Sequence, residues 1–294
     1  MNAVKELAYA KVNLYLDILD KREDGYHSIS TVMHTVSLAD EITVQLVGMG
    51  KRNIKLMLSN NKFLPTDSKN LCYAAADAFM QRAGISADIL IRLKKRIPIG
   101  GGLGGGSADA AAVLKAMNRL FRKPFTDKAL LSIAASLGSD VPFCFVGGTA
   151  LCEGRGERMT RLDSALDLHL AVVNSGEHVS TPWAYKELDR HYSDFDGSVK
   201  TVDPELLPRF IKAVARGNIA DVGSFNAFEA PILSLCPKAS RLKQMLLDKG
   251  AEFALMSGSG STIFAAFKDE QSARNAVAHM RLLGAYANYA NSTK

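Results

Sequence analysis

Residues 98–112 read PIGGGLGGGSADAAA, and six of these fifteen residues are glycine. Glycine frees φ and lets another group touch the main chain, but it loses more conformational freedom on folding than any other residue. Six within seven positions is therefore too costly for a simple turn. A strand pattern, ADILIRL (87–93), precedes the run, and an alanine-rich helix pattern, ADAAAVLKAMNRLF, follows it with Ser107 at the expected N-cap. A flexible linker does not run from a strand straight into a strong helix. Backbone N–H groups gathered by glycine at a helix N-terminus make an anion site, and phosphate is its natural occupant. A Walker A loop needs lysine before the serine, where this chain has Gly106. The spacing Gly100-x-Gly102-x-x-Gly105 satisfies GxGxxG, but a run this rich satisfies many patterns, and no regular βαβ series with a ribose-binding acid accompanies it.

The 294 residues suit one large domain or two ordinary ones, and 47% hydrophobic with 22% charged residues is a globular balance. AYAKVNLYLDI near the N-terminus alternates, with Val12, Leu14, Leu16 and Ile18 on one side and Lys11, Asn13, Tyr15 and Asp17 on the other. That pattern predicts a half-buried strand ending at the Asp24-Gly25 turn. Further strands are predicted at 41–47, 54–59 and 168–174, with a helix from Ser68 to Gly84 and another from Thr126 to Gly138. VPFCF (141–145) reads as an apolar strand. Toward the C-terminus come helices at 204–216 and 238–249, then EFALM, the turn SGSG, STIFAAF and a last helix at 269–283. The texture changes at the polar EGRGER (153–158), which places a domain boundary near 160.

No apolar run is long enough for a membrane span, and MNAVKELAYAKVN lacks the apolar segment of a secretory leader, so a cytoplasmic location is expected. Cys72, Cys144, Cys152 and Cys236 form no CxxC pair and read as buried thiols. The net charge of +6 is scattered, its densest cluster being Lys94, Lys95 and Arg96. A nucleic-acid partner is not indicated, and a field that draws small anions explains the charge.

PIGGGLGGGSADAAA resembles the second signature of the GHMP kinase superfamily, which includes galactokinase, homoserine kinase and mevalonate kinase. AYAKVNLYL resembles the first signature and ALMSGSGSTIFAAF the third, in the expected order. Three signatures spread over most of the chain are far more specific than any one. The resemblance implies an α+β fold of two domains: an N-terminal domain of the ribosomal protein S5 domain 2 type and a ferredoxin-like C-terminal domain. It also implies an active kinase using ATP and Mg²⁺. REDGYH, LGSDVPFC and EGRGE resemble the members that phosphorylate a hydroxyl of a cytidine diphosphate-linked methylerythritol. The resemblance then implies that Pro98, Gly100, Gly101 and Gly102, with Leu103, Gly104, Gly105, Gly106 and Ser107, wrap the ATP phosphates. Ser107 is also the candidate Mg²⁺ ligand, since no counterpart of the acidic ligand of some members is evident.

The individual residues leave bland alternatives open. Asp140, in Gly138-Ser139-Asp140, caps a turn or, by resemblance, is the general base. Lys11 is a solvated lysine or, by resemblance, the cation that stabilises developing charge and keeps Asp140 ionised. Tyr26 and His27 are a packed ring and a surface imidazole or the elements that stack on and read a cytosine. Tyr185, with Trp183 as the alternative, aligns with an aromatic that closes the other side of the base, and Asn13 belongs to the substrate site by resemblance. Lys95 and Asn70 are surface residues or lie near the nucleotide. Another GHMP kinase, or a GHMP-fold protein that binds without catalysis, is the alternative. The Gly-Tyr-His element argues against the first, and the presence of both Lys11 and Asp140 against the second.

Overall fold

Strands β1 (Ala3–Lys21) and β2 (His27–Met49) are each long enough to serve two packing units. The computed structural model describes residues 2–60, 64–192 and 203–293. One unit takes the chain up to Ala10, then Ala39–Ile99 and Gly104–Gly147. The other takes Lys11–Leu38, Gly100–Leu103 and the chain from Gly148 onward.

In the first unit, β3 (Asn53–Leu58), α1 (Leu71–Ala83) and β4 (Ala87–Lys94) form a crossover in which the two strands run parallel. The second half of β2 pairs antiparallel with β4, Glu41 opposite Lys94 through Met49 opposite Ala87. On β4 Ala87, Ile89, Ile91 and Leu93 point into the core, the period-2 pattern that the sequence shows. Helices α2 (Gly105–Leu120), α3 (Asp127–Leu137) and α4 (Val141–Val146) complete the unit. Its core joins Ile42, Phe79, Ile91, Val113 and Ile133. Helix α1 starts two residues later than the sequence suggests, because Asn70 and not Ser68 caps it, its Oδ1 accepting the Cys72 N–H at 2.9 Å. Thr126 and Gly138 bound α3 as expected. VPFCF is helix α4, not a strand; Pro142 sits in its first turn, where its missing N–H costs nothing.

The second unit contains the hairpin of β5 (Thr149–Gly154) and β6 (Arg158–Arg161), with β5 antiparallel to the first half of β2. Strand β7 (His169–Asn174) follows, then α5 (Thr181–Tyr192), α6 (Leu206–Arg216), β8 (Phe225–Asn226), α7 (Glu229–Leu235), α8 (Pro237–Asp248), β9 (Phe253–Met256), β10 (Ile263–Phe267), α9 (Glu270–Leu282) and β11 (Tyr286–Asn291). A four-stranded antiparallel sheet in the order β11-β7-β10-β9 has α8 and α9 packed on it. Strand β8 runs parallel to β1, Tyr15 opposite Phe225. The core gathers Leu16, Ile18, Val173, Phe228 and Ile263.

Strand β1 is not half-buried. Lys11, Asn13, Tyr15 and Asp17 are as buried as Val12, Leu14, Leu16 and Ile18. Its polar face is part of the interior, which singles out those side chains as paired or functional. The four cysteines are thiols, not disulfides, and Cys144 is half-buried while the other three are buried. Among the described residues no helix is long and apolar enough to cross a membrane.

A buried imidazole ties the C-terminal strand to β2. His34 lies 2.8 Å from Thr149 Oγ1 through Nδ1 and 3.0 Å from Ser292 Oγ through Nε2. Burial pushes the His34 imidazole down to about 4. Its unfolded value is near 6.5, so on acidification the unfolded chain takes up a proton that the folded chain refuses. Stability is thus fully present above about pH 6.5, falls through the window from about pH 6.5 to 4, and loses about 3 kcal/mol from this group. Denaturant unfolding across that window should lose this slope in His34→Gln. An unchanged slope would place the acid sensitivity elsewhere.

Candidate active site

The glycine run leaves the end of β4 and enters α2 with Gly100, Gly102 and Gly104 at φ of 66°, 77° and 66°, a region that other residues rarely adopt. Helix α2 begins at Gly105, so Ser107 is inside the first turn and is not the cap. Gly104 occupies the cap position and offers no side-chain oxygen to the first turn. A helix begun this way leaves its leading N–H groups to an external acceptor, with the positive end of the helix dipole behind them.

All three glycine-containing or polar signatures of the sequence meet at this run. The Lys11 N–H donates to Leu103 O at 3.0 Å. Ser257 Oγ donates to Gly102 O at 3.0 Å. A Cβ on Gly102 would stand 1.9 Å from Ser257 O, and one on Gly258 would stand 3.1 Å from Gly102 O. Backbone lies on backbone here, which no other residue permits. Asn226, which no sequence pattern singles out, holds the third turn from behind. Its Nδ2 donates to Met256 O at 2.6 Å and Gly258 O at 2.9 Å.

From Lys11 a buried polar chain runs across β1 and β2. Lys11 Nζ donates to Asn13 Oδ1 at 2.6 Å, Asn13 Nδ2 to Thr31 Oγ1 at 2.8 Å, and Thr31 Oγ1 to Tyr15 O at 2.6 Å. Lys11 is only 4% exposed, so its charge acts at low dielectric, where it attracts an approaching anion far more strongly than in water. Asp140 belongs to the other unit, half-buried, at the cap position of α4. Its side chain makes no capping bond, so the bland reading of Asp140 as a cap does not account for it.

His27 and Tyr185 come together in the second unit, to which Tyr26 also belongs. The Tyr185 ring stacks on His27, centroids 4.7 Å apart and planes 19° apart, and meets Phe228 edge-on at 4.9 Å. His27 is buried, and Nε2 lies 2.7 Å from Asp189 Oδ1, while Lys21 Nζ donates to Asp189 Oδ2 at 2.7 Å. Burial would raise the Asp189 carboxyl, but the bonds from Lys21 and His27 outweigh it and hold the carboxyl below its usual value. An ionised carboxylate only accepts, so Nε2 carries the His27 proton. Tyr26 is 54% exposed, with the Arg155 guanidinium 3.5 Å from its ring centroid. That is a cation–π contact on an accessible aromatic face. Trp183 is 36% exposed and shows no such stacking partner among the described residues.

Lys95 is not at the surface. Its ammonium is buried against Asp40 and lies 2.7 Å from Asp109 Oδ2. Burial alone would lower it, but Asp109 and Asp40 together raise it. Burial pushes the Asp109 carboxyl up, with Lys95 opposing. Neither acid was selected from sequence, although Asp109 two residues after Ser107 was visible in GSAD. Asn70 is committed to its cap, with Nδ2 donating to Pro65 O at 2.9 Å. Pro98 is half-buried between Ile97 and the glycines.

Comparison with known proteins bears on this arrangement. Residues 70–148 match the family model of GHMP kinases N terminal domain, and residues 210–285 that of GHMP kinases C terminal. A 4-diphosphocytidyl-2-C-methyl-D-erythritol kinase of Caldicellulosiruptor bescii is 36% identical, covering 95% of this chain and 94% of its own. One of Clostridium acetobutylicum is 39% identical over 90% of this chain and 91% of its own. A crystal structure of 4-(cytidine 5'-diphospho)-2C-methyl-D-erythritol kinase superposes with a TM-score of 0.80 at 33% identity, covering 99% of this chain and 100% of that one. A homoserine kinase from Cytophaga hutchinsonii shares the fold, with a TM-score of 0.76 at 22% identity over 100% of this chain and 95% of that one.

Proposed function

Since the chain belongs to the GHMP kinase superfamily and, within it, to the 4-diphosphocytidyl-2-C-methyl-D-erythritol kinases, we propose that it transfers the γ-phosphoryl group of ATP to the 2-hydroxyl of 4-diphosphocytidyl-2-C-methyl-D-erythritol, in the non-mevalonate route to isoprenoid precursors. The observation that carries this reading is the meeting of the three signatures at Gly102 and Leu103. It ties the Lys11 strand and the Ser257 turn to the loop that opens α2, and a helix N-terminus of this kind suits a triphosphate.

Phosphoryl transfer asks mainly for positioning and charge stabilisation. Gly100 to Ser107 cradle the phosphates through backbone N–H groups and the N-terminus of α2. Asp140 accepts the proton of the substrate hydroxyl as the new O–P bond forms, and the bond to ADP breaks with its electron pair leaving on ADP. Lys11 supplies positive charge to the transferring group. Mg²⁺ fits the donor set at Ser107, one hydroxyl supplemented by phosphate oxygens and water, and when bound it neutralises phosphate charge. Tyr26 and Tyr185 supply aromatic faces for cytosine, and Asn13 borders the methylerythritol. His27, with Nε2 turned to Asp189, offers its other ring edge to the polar edge of the base. Asn70 and Lys95 shape the nucleotide site with side chains that already have protein partners. We place the boundary between the N- and C-terminal family domains near residue 160, between the two matched segments. The reaction is placed in the cytoplasm.

A coupled ADP-release assay with this substrate, homoserine and mevalonate tests the reading. Turnover with the cytidyl substrate alone is expected. Turnover with either of the others instead would reassign the enzyme within the superfamily, and none with any would overturn the kinase reading.

A further inference from the structure

Both ends of the glycine run are fastened by the same buried charges. Asp40, on β2, is 0% exposed and receives three donors. Its Oδ1 accepts the backbone N–H of Arg96 and, at 2.8 Å, that of Ile97, and its Oδ2 accepts Lys95 Nζ. The same Nζ donates to Asp109 Oδ2 at 2.7 Å, and Asp109 lies one turn into α2. Residues 95–97 are where the chain departs for the loop, and 105–109 are where it returns. The two points touch: a Cβ on Gly105 would stand 3.0 Å from Ile97 Cγ2 and 3.3 Å from Lys95 Nζ. Asn60 braces Lys95 from its other side, accepting its N–H at 2.9 Å and donating to its carbonyl at 2.6 Å.

Such an arrangement is more than an ion pair that stabilises a core. A buried ammonium between two carboxylates is a poor way to gain stability, because desolvation cancels much of the attraction. It does fix geometry, since each partner has one acceptable position. Here the fixed elements are the two anchors of a seven-residue loop whose glycines otherwise have wide conformational freedom.

We propose that Asp40, Lys95 and Asp109 are positioning residues: they clamp the departure and return of the glycine loop and so set the shape of the phosphate cradle without touching the nucleotide. The proposal rests on the ATP reading given above.

Asp109→Ala cuts the tie at the α2 end and leaves the Lys95–Asp40 pair intact, whereas Lys95→Met strands two buried carboxylates and is expected to misfold. The test therefore uses Asp109→Ala, with Asp109→Asn as the conservative variant that keeps an oxygen for Lys95 Nζ. In the full-length enzyme Asp109→Ala should raise KM for ATP roughly tenfold, as expected when a bound group is misplaced by a fraction of an ångström. KM for the cytidyl substrate should stay within about twofold, and Asp109→Asn should recover most of the loss. Amide exchange over residues 97–109 of the nucleotide-free protein should quicken in Asp109→Ala and not in Asp109→Asn. Unchanged exchange and unchanged KM for ATP would overturn the clamp, as would a parallel rise of both KM values with a fall in kcat. If the parent shows no ATP-dependent turnover, the ATP reading fails, and the exchange comparison alone then decides for or against the clamp.

Discussion

Asp140→Ala is expected to lower kcat by roughly 10²–10⁴-fold, the usual contribution of a positioned general base, with the fold retained. Retention follows from the local structure. Asp140 is half-buried at the start of α4, and its side chain makes no capping bond there, so its removal does not strip the helix of a cap. Asp140→Asn keeps the shape and loses the basicity, and it should be nearly as impaired. Steady-state kinetics beside circular dichroism separate the cases. If Asp140→Asn kept kcat within about tenfold of the parent, proton acceptance would not be the role of Asp140.

Two glycines of the loop should respond in opposite ways. Gly102→Ala places a methyl carbon 1.9 Å from Ser257 O at a φ of +77°. The opposing atom is backbone and cannot rotate away. Left-handed strain and overpacking together should cost about 2–5 kcal/mol, a large part of the stability of an ordinary domain. Gly106 is inside α2, and its added carbon would meet only Leu71 Cδ1, at an ordinary 3.6 Å. Gly106→Ala should gain up to about 1 kcal/mol from helix propensity. Yet it puts a methyl group on the first turn, where the proposed phosphate lies, and KM for ATP should rise by about tenfold. Thermal melts and ATP titrations of the pair check both statements. A destabilised Gly106→Ala or an unharmed Gly102→Ala would contradict the described geometry. A stable Gly106→Ala with unchanged KM would remove Gly106 from the cradle.

The long periodic elements were legible because their signal is local. Thr126 and Gly138 mark α3 by chemistry that needs no tertiary partner. VPFCF reads as a strand because five apolar residues hold too little periodicity to separate a strand from a buried helix; the fold decides it, with Val141 and Phe145 joining the helical core. Lys11 and Asn13 were visible as the polar side of an alternating strand. That this side is dry depends on Thr31, eighteen residues away from Asn13. Lys95 sat in a basic run that looked solvated. The acids that bury it lie 55 residues before and 14 after it, a separation no window along the chain spans. The cap of α2 was misassigned because Gly104 adopts the left-handed conformation one turn before Ser107. Helices α5 and α7 and the short strand β8 carried no distinct pattern. Their assignment rests on packing, as in the contact of Phe228 with Tyr185.

Membership of residues 11–38 in the unit that also takes Gly100–Leu103 and the chain from Gly148 onward has a consequence for synthesis on the ribosome. Leu16, Ile18 and Ile29 emerge early, but the apolar partners of their core, Val173, Phe228 and Ile263 among them, are made in the last half of the chain. At ~5–20 residues per second the wait from 148 onward lasts roughly 7–30 s. The first unit has its whole sequence by Gly147 and can close during that wait. Strands β1 and β2 can pair with each other at once, but an apolar face left uncovered this long invites association with neighbouring nascent chains. Slow translation of the second half should thus favour aggregation, and a chaperone that shields residues 11–38 should restore yield without altering the finished protein.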